Sequence, residues 1–259
     1  MAKKRKIGLA LSGGAARGFA HIGVLKVLEE ERLPVSFLAG TSAGALMGAF
    51  YASGMNIRML ERLTKAVERR TWIDFTVSRM GFIGGNKVEQ IVYLLTRRAT
   101  FSDLKIPFAA VAVDLYSGEK VVIKEGIVAE AVRASISIPG CFVPVEINGK
   151  MLVDGAVLER LPVEVVRNMG ADFVIAVDTG FHKGAVDITN ALDVITRSIE
   201  IMAKEMSLNQ LDCADAVITP ELGDIAPSQF ERVSEAVSLG EKAARSALPA
   251  IYSQLEGSL

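Results

Sequence analysis

One serine sits in a sequence context that is typical of a covalent nucleophile. The stretch Gly40-Thr41-Ser42-Ala43-Gly44 follows the apolar run FLA and precedes ALMGAF. A sharp strand-to-helix turn leaves no room for side chains two positions before and two positions after the nucleophile, and Gly40 and Gly44 meet that requirement. The five-residue pattern alone arises by chance in many proteins, but the strand-like and helix-like runs beside it favour a nucleophile elbow at Ser42.

A second Gly-rich stretch, SGGAARG at residues 12–18, lies between an apolar run and a helical pattern. Glycines let a backbone present successive N–H groups, and acyl transfer needs such donors for its oxyanion. The competing interpretation is a nucleotide-phosphate loop. A Walker loop requires Gly-Lys-Ser/Thr, whereas Phe19 follows Gly18 here, and a dinucleotide site requires an acidic residue where this chain has Gly40-Thr41. The stretch therefore favours an oxyanion over a phosphate.

A nucleophilic serine needs a base, and the chain has only two histidines, His21 and His182. His21 lies within a helical pattern, where a buried, hydrogen-bonded histidine is the favoured interpretation. His182 follows an apolar run and gives the chain order Ser42, Asp154, His182, which matches an α/β-hydrolase triad. Position in the sequence does not decide for or against that triad.

Two aspartates are the other candidate bases. Asp154 ends the run MLV and precedes Gly155-Ala156, and Asp178 occurs in the similar context AVDTG. Each would emerge at a tight turn at the end of a strand, where active sites of such sheets collect. Each is equally compatible with a structural role, in which the carboxylate accepts hydrogen bonds from turn N–H groups. Spacing leaves both roles open for both aspartates.

Short apolar runs typical of buried strands would position these candidates: IGLAL, FLAGT, FAAVAVDL, MLVDG and FVIAVDT. Longer segments with helical spacing lie between them, which predicts an α/β fold with helices on both faces of the sheet. Two hairpins are expected, around Tyr116-Ser117-Gly118 and around Asn148-Gly149. Because the 259 residues contain no linker or repeat, we expect one domain over residues 1–259, mostly helical at 190–259.

The region between residues 56 and 100 has a polar helical pattern that is interrupted at 78–87 by the Gly-rich stretch SRMGFIGGNK. Its apolar side chains Met80, Phe82 and Ile83 are expected to be exposed. Two interpretations remain open for this segment, a lid over the site or a simple connection between helices.

Composition excludes several classes of protein. The chain has 29 basic and 30 acidic residues and no block of like charge beyond Lys3-Lys4-Arg5-Lys6, so no nucleic-acid partner is expected. Cys141 and Cys213 lack the spacing of a disulfide framework or metal site, and two free thiols fit a reducing cytoplasm. The apolar run Ile7 to Leu11 is too short for a signal peptide, and no run approaches the roughly 18 residues of a membrane span. Any membrane contact would be peripheral.

Four stretches together resemble a known family: GLALSGGAARGFAHIGVLKVLEE, AGTSAGALMGA, ASISIPGCFVPV and LVDGA, in that order over residues 7–156. They resemble the bacterial patatin-like phospholipases, specifically the branch related to neuropathy target esterase. The resemblance extends weakly to the C-terminus through MGADFVIAVD. It implies a three-layer α/β/α fold with a mainly parallel central sheet, a serine–aspartate dyad without histidine, and no metal or organic cofactor. The dyad roles fall on Ser42 and Asp154.

The resemblance also assigns roles to the Gly-rich loop. Backbone N–H groups around Gly13, Gly14 and Ala15 would hold the oxyanion. The same loop includes Gly18, and Arg17 would shape the loop or lie near a substrate head group. The implied substrates are phospholipids, lysophospholipids or simpler acyl esters, hydrolysed in the cytoplasm or at the inner membrane surface.

The chain departs from the family pattern at two places. Ser12 stands where a further glycine is common, a small change that leaves the loop conformation accessible. Glu159-Arg160-Leu161 replace an asparagine-containing segment, and a charged pair close to Asp154 would shift its pKa or alter the pocket. Low activity, an unusual substrate, or a regulatory protein that keeps the scaffold without its chemistry are the resulting alternatives. The strained serine turn argues against a loss of chemistry.

Overall fold

A central sheet is built from the buried apolar runs of the chain. The computed structural model describes residues 5–66, 72, 74–181 and 188–256. Its strands are β1 Ile7–Leu11, β2 Val35–Thr41, β3 Gly81–Ile83, β4 Phe108–Asp114, β5 Lys120–Ile123, β6 Gly140–Phe142, β7 Val145–Ile147, β8 Lys150–Asp154, β9 Phe173–Val177 and β10 Ala216–Ile218. The spatial order of the main sheet is β10-β9-β1-β2-β4-β8-β7, and β5 pairs with β4. The first five strands in this order are mutually parallel, whereas β8, β7 and β5 join antiparallel.

Helices cover both faces of this sheet. They are α1 Ala20–Glu30, α2 Ala43–Ala52, α3 Ile57–Ala66, α4 Asn86–Leu95, α5 Val128–Ser135, α6 Val163–Asn168, α7 Ala191–Leu211 and α8 Val233–Glu256. Leu9 of β1 packs in one apolar cluster with Leu25 of α1, and the next residue, Ala10, packs in a second cluster with Val166 of α6. Because successive side chains of a strand point to opposite faces, the two clusters form the two sides of a three-layer fold. The predicted α/β architecture is confirmed.

Strand register brings the serine and one aspartate to the same level of the sheet. Thr41, the last residue of β2, pairs with Val111 of β4. On the other side of β4, Ala112 pairs with Asp154, the last residue of the antiparallel strand β8. Residues that follow β2 and β8 therefore emerge close together, although more than a hundred residues separate them in the chain.

Two segments contain strands that the sequence pattern did not predict. In the Gly-rich segment 78–87, β3 pairs in parallel with β6, and the Val143 N–H donates to the Ile83 carbonyl at 2.9 Å. Beyond residue 190, the helical region also contributes β10 to the sheet edge. The two expected hairpins are confirmed as β4–β5 and β7–β8. Among the described helices, none is long and apolar enough to cross a membrane.

Candidate active site

The predicted elbow at Ser42 has the sharp geometry that its glycines allow. Ser42 lies between β2 and α2 with φ 54° and ψ −121°, a conformation that is strained for a residue other than glycine. A Cβ atom on Gly40 would overlap the Gly44 carbonyl, and one on Gly44 would overlap the Leu11 carbonyl. Both glycines are thus required by close backbone approach. The turn holds the Ser42 side chain at the carboxyl edge of the sheet.

Asp154 lies beside Ser42 and is deeply buried, with 3% of its surface exposed. Its side chain accepts the Ala156 N–H at 2.8 Å and hydrogen bonds with the Ser42 side chain. Burial raises the pKa of Asp154 to about 6, and these two hydrogen bonds only partly oppose the rise. No charged side chain among the described residues contributes to this rise in the pKa of Asp154. The carboxyl group is therefore poised to exchange a proton near neutral pH.

The Gly-rich loop after β1 lies against the serine. A Cβ on Gly13 would come within 3.3 Å of the Ser42 Cβ, and a Cβ on Gly18 would overlap the Cβ of Ala43. The Gly13 N–H, however, donates to the Arg160 carbonyl at 3.0 Å. Because the Gly13 N–H is already bonded to that carbonyl, it stabilises the loop and is not free to bind an oxyanion.

Two other N–H groups of the loop lack such a partner. Ala16 donates to the Pro227 carbonyl at 3.1 Å and Arg17 to the Gly14 carbonyl at 3.0 Å. The N–H groups of Gly14 and Ala15 donate to no acceptor within the described parts of the chain. Ala15 has a positive φ of 48°, which marks a second strained position beside the elbow. Gly14 and Ala15 are therefore the donors that remain available to an anionic oxygen.

Arg17 is buried beneath this loop rather than extended toward solvent. Its guanidinium lies 3.8 Å from the Glu200 carboxylate, and its Nε and Nη1 atoms have no partner among the described residues. Burial lowers the pKa of Arg17 to about 10, with the Glu200 charge opposing the decrease. The expectation that Arg17 shapes the loop agrees with this buried position.

The charges of Glu159 and Arg160 pair with groups other than Asp154. The Arg160 Nη1 donates to the Asp178 carboxylate at 2.5 Å, and its Nη2 donates to Thr179 Oγ1 at 3.1 Å. The Glu159 carboxylate forms an ion pair with Lys120. Neither charge is among the causes of the raised Asp154 pKa. The pair therefore anchors the neighbouring backbone and does not tune Asp154.

Of the two candidate histidines, His21 lies within the described residues and His182 does not. His21 is fully buried, its Nε2 lies 2.8 Å from the Ser12 carbonyl oxygen, and burial lowers its pKa to about 4. Its Nε2 is therefore protonated and committed to the backbone, which confirms the interpretation of His21 as a buried structural histidine. His182 lies outside the described residues, so the triad alternative keeps the status of a prediction.

Three polar residues near the site were not singled out from the sequence: Arg133, Ser135 and Ser137 at the end of α5. The Asp154 N–H donates to the Ser137 carbonyl at 2.9 Å. The Ser42 N–H donates to the Ser135 hydroxyl at 2.9 Å. Their signal was present in AVRASISIPG, where polar side chains recur at every second position inside an apolar run. Such a pattern indicates buried polar groups that need partners.

The described cysteines are free thiols, Cys141 near Asp154 and Cys213 at the surface. Across the part of the chain that the structure describes, no group of three His, Cys, Asp or Glu side chains is placed to hold a metal ion.

Comparison with known proteins identifies relatives over most of the chain. The family model of patatin-like phospholipases matches residues 9–167. An uncharacterized NTE family protein of Mycobacterium bovis is 36% identical over 175 residues, which cover 66% of this chain and 48% of that protein. Another NTE family protein, of Mycobacterium tuberculosis, is 30% identical over 95% of this chain and 47% of its own length. The chain therefore spans about half the length of these curated relatives.

Two further similarities extend this result. Neuropathy target esterase sws of Drosophila melanogaster is 32% identical over 71% of this chain and 13% of that protein. The crystal structure of VipD from Legionella pneumophila has a TM-score of 0.71 at 15% identity, over 96% of this chain and 67% of VipD, which shows a shared fold alone. The order of motifs, the sheet and the sequence matches agree, and the chain belongs to the patatin-like phospholipase family, in the branch related to neuropathy target esterase.

Proposed function

We propose that this protein hydrolyses carboxylic esters of phospholipids, lysophospholipids or simpler acyl esters, with Ser42 as nucleophile and Asp154 as its base. The observation that carries the proposal is the contact between a strained elbow serine and a buried aspartate whose pKa is raised to about 6. A general base works best when its pKa lies near the working pH. Asp154 meets that condition and interacts directly with the serine.

The reaction would proceed through an acyl-enzyme. Asp154 takes the proton from Ser42 Oγ as this oxygen attacks the ester carbonyl, and the N–H groups of Gly14 and Ala15 bind the resulting oxyanion. Collapse of this tetrahedral intermediate breaks the ester C–O bond, and Asp154 returns the proton to the departing alcohol. Water then attacks the acyl-enzyme with the same carboxylate as base, which releases the fatty acid and restores Ser42.

Exposed apolar side chains beside the site support a lipid substrate and peripheral contact with a membrane. Met80 is 51% exposed and Phe82 of β3 is 59% exposed, and β3 pairs with β6, whose Cys141 lies near Asp154. Apolar side chains at this rim would insert between lipid tails. The nearly balanced charge of the chain favours zwitterionic lipid as much as anionic lipid. Two free thiols support a cytoplasmic location.

Hydrolysis of p-nitrophenyl esters of increasing acyl length tests the chemistry. Wild type should be active, Ser42→Ala and Asp154→Asn should lose about 10³-fold or more, and His182→Ala should keep its activity. Ser198→Ala is a matched control, because this exposed serine bonds only the Val194 carbonyl of its own helix. Loss of activity with His182→Ala would replace the dyad by a triad, and an inactive wild type would favour a regulatory protein.

Vesicle flotation with phosphatidylcholine tests the contact surface. The double variant Met80→Ser/Phe82→Ser should float less than wild type, while Val217→Ser, at the β10 edge of the sheet, should float as wild type does. Unchanged flotation of the double variant would refute a role of β3 in membrane contact.

A further inference from the structure

The backbone N–H of Ser42 is held by a residue from another part of the chain. β2 ends at Thr41 and α2 begins at Ala43, so this N–H lies between a strand ladder and a helix whose first N–H groups have no internal partners. It donates to the Ser135 hydroxyl at 2.9 Å, and that hydroxyl donates to the Val111 carbonyl of β4 at 2.6 Å. Ser135 has no exposed surface. One hydroxyl thus links the elbow to the neighbouring strand.

This bond bears on the strained backbone of the elbow. A residue other than glycine at φ 54° persists only where its surroundings fix it. φ is the rotation about the Ser42 N–Cα bond, so holding the N–H fixes the peptide plane from which that rotation is measured and helps to set the direction of the side chain. It also commits the Ser42 N–H to Ser135, so this N–H is not a donor to the oxyanion.

The residues that directly follow α5 hold the candidate base. The Ser137 carbonyl accepts the Asp154 N–H at 2.9 Å, and the Ser137 hydroxyl accepts a hydrogen bond from Arg133 Nη1 at 2.5 Å. Arg133 Nη2 donates to the Val143 carbonyl at 2.7 Å, which ties the turn to the segment between β6 and β7. Ser42 and Asp154 are therefore held by Ser135 and Ser137, which lie two positions apart in the chain.

We propose that Ser135 is a positioning residue for ester hydrolysis, which holds the Ser42 elbow at the angle from which Oγ reaches both the ester carbonyl and Asp154. The inference rests on the proposed function. Ser135 keeps its proton throughout and touches no substrate; it acts through the Ser42 backbone. Its removal should slow the step in which Oγ attacks and leave substrate binding nearly unchanged.

Steady-state hydrolysis of p-nitrophenyl butyrate by Ser135→Ala and Ser207→Ala tests this inference. Ser207 is the matched control, because it is 1% exposed and its hydroxyl bonds only the Ala203 carbonyl of its own helix, at 2.7 Å. Ser135→Ala should lower kcat about ten- to a hundred-fold with KM within about twofold, since small misplacements of a nucleophile cost that much. Ser207→Ala should keep both constants. The rate of labelling by a fluorophosphonate should fall in parallel with kcat, because it reports attack by Ser42 alone.

A second variant keeps the test decisive if Ser135→Ala does not fold. Ser135→Cys preserves shape but replaces the hydroxyl by a weaker donor and acceptor, and should give a kcat between those of wild type and Ser135→Ala. Wild-type kcat and a wild-type labelling rate in the folded variants would overturn the inference. An inactive wild type would instead refute the proposed function, and this is seen before any variant is compared.

Discussion

Asp154 ends β8 and Asp178 directly follows β9, two strands that β1, β2 and β4 separate in the sheet, and their surroundings differ in one decisive respect. Both are buried, with 3% and 7% of their surfaces exposed, and both accept a hydrogen bond from a turn N–H two residues on. Asp178 also binds the Arg160 guanidinium at 2.5 Å. Asp154 instead faces the Ser42 side chain, and burial raises its pKa to about 6.

The difference shows how one local context can produce a base or a structural anchor. A guanidinium beside a buried carboxylate compensates its lost hydration, and the pair acts as a fixed link. A buried carboxylate without a cation favours its protonated form and exchanges a proton near neutral pH. In this protein the fixed link holds the Gly13 loop through the Arg160 carbonyl, and the exchangeable carboxyl group contacts the serine.

The largest expected effect concerns activity. Asp154→Asn should lower kcat/KM for a p-nitrophenyl ester by about 10³-fold or more, whereas Asp178→Asn should lower it by less than about tenfold, because Asp154 is the proposed base of Ser42 and Asp178 is paired with Arg160. Steady-state kinetics of both folded variants measure the two ratios. Equal losses for the two variants would contradict the assignment of Asp154, rather than Asp178, as the base.

The next effect concerns stability. Asp178→Asn leaves the buried Arg160 charge without its counter-ion and should lower the free energy of unfolding by about 3 kcal/mol in urea titrations. Asp215→Asn is the control, since it breaks a partly exposed pair with Arg167 (2.8 Å). Surface pairs contribute about 1 kcal/mol or less. A loss for Asp178→Asn no larger than that of the control would contradict the role of Asp178 as an anchor.

A third prediction uses pH. The folded-state pKa of Asp154, about 6, lies above its ordinary value of 3.8, so wild type should lose stability from this group as pH rises from about 4 through 6. Asp154→Asn lacks that loss and should exceed wild type in melting temperature at pH 8, with a smaller difference at pH 4.5. The kcat/KM of wild type should fall about tenfold per pH unit below 6. A difference in melting temperature that does not depend on pH would contradict the raised pKa.

The smallest expected effect tests the neighbouring charges. Glu159→Gln removes a charge that pairs with Lys120 and is not among the causes of the Asp154 pKa shift. The midpoint of the pH–rate profile should therefore move by no more than about 0.3 unit. A shift of a whole unit would place Glu159 in electrostatic contact with the base.

Much of the fold was predictable because its signals are local. Apolar runs of five to eight residues separated by helical spacing predicted β1, β2, β4, β8 and β9. The short strands β3, β6 and β10 were missed, since three residues carry little periodicity and form a strand only when a partner lies beside them. The glycines of the elbow were recognised for the same local reason, because close backbone approach excludes any side chain there.

The sequence by itself determined the strand-turn-helix at Ser42, the Gly-rich loop and the family to which they belong. The tertiary structure decided which aspartate faces the serine, which loop N–H groups stay free, and which hydroxyl holds the Ser42 N–H. The reason is physical: a glycine requirement is set by a residue's own backbone and nearest neighbours. The pKa of a carboxyl group and the partner of an N–H depend instead on groups that strand register brings together from distant parts of the chain.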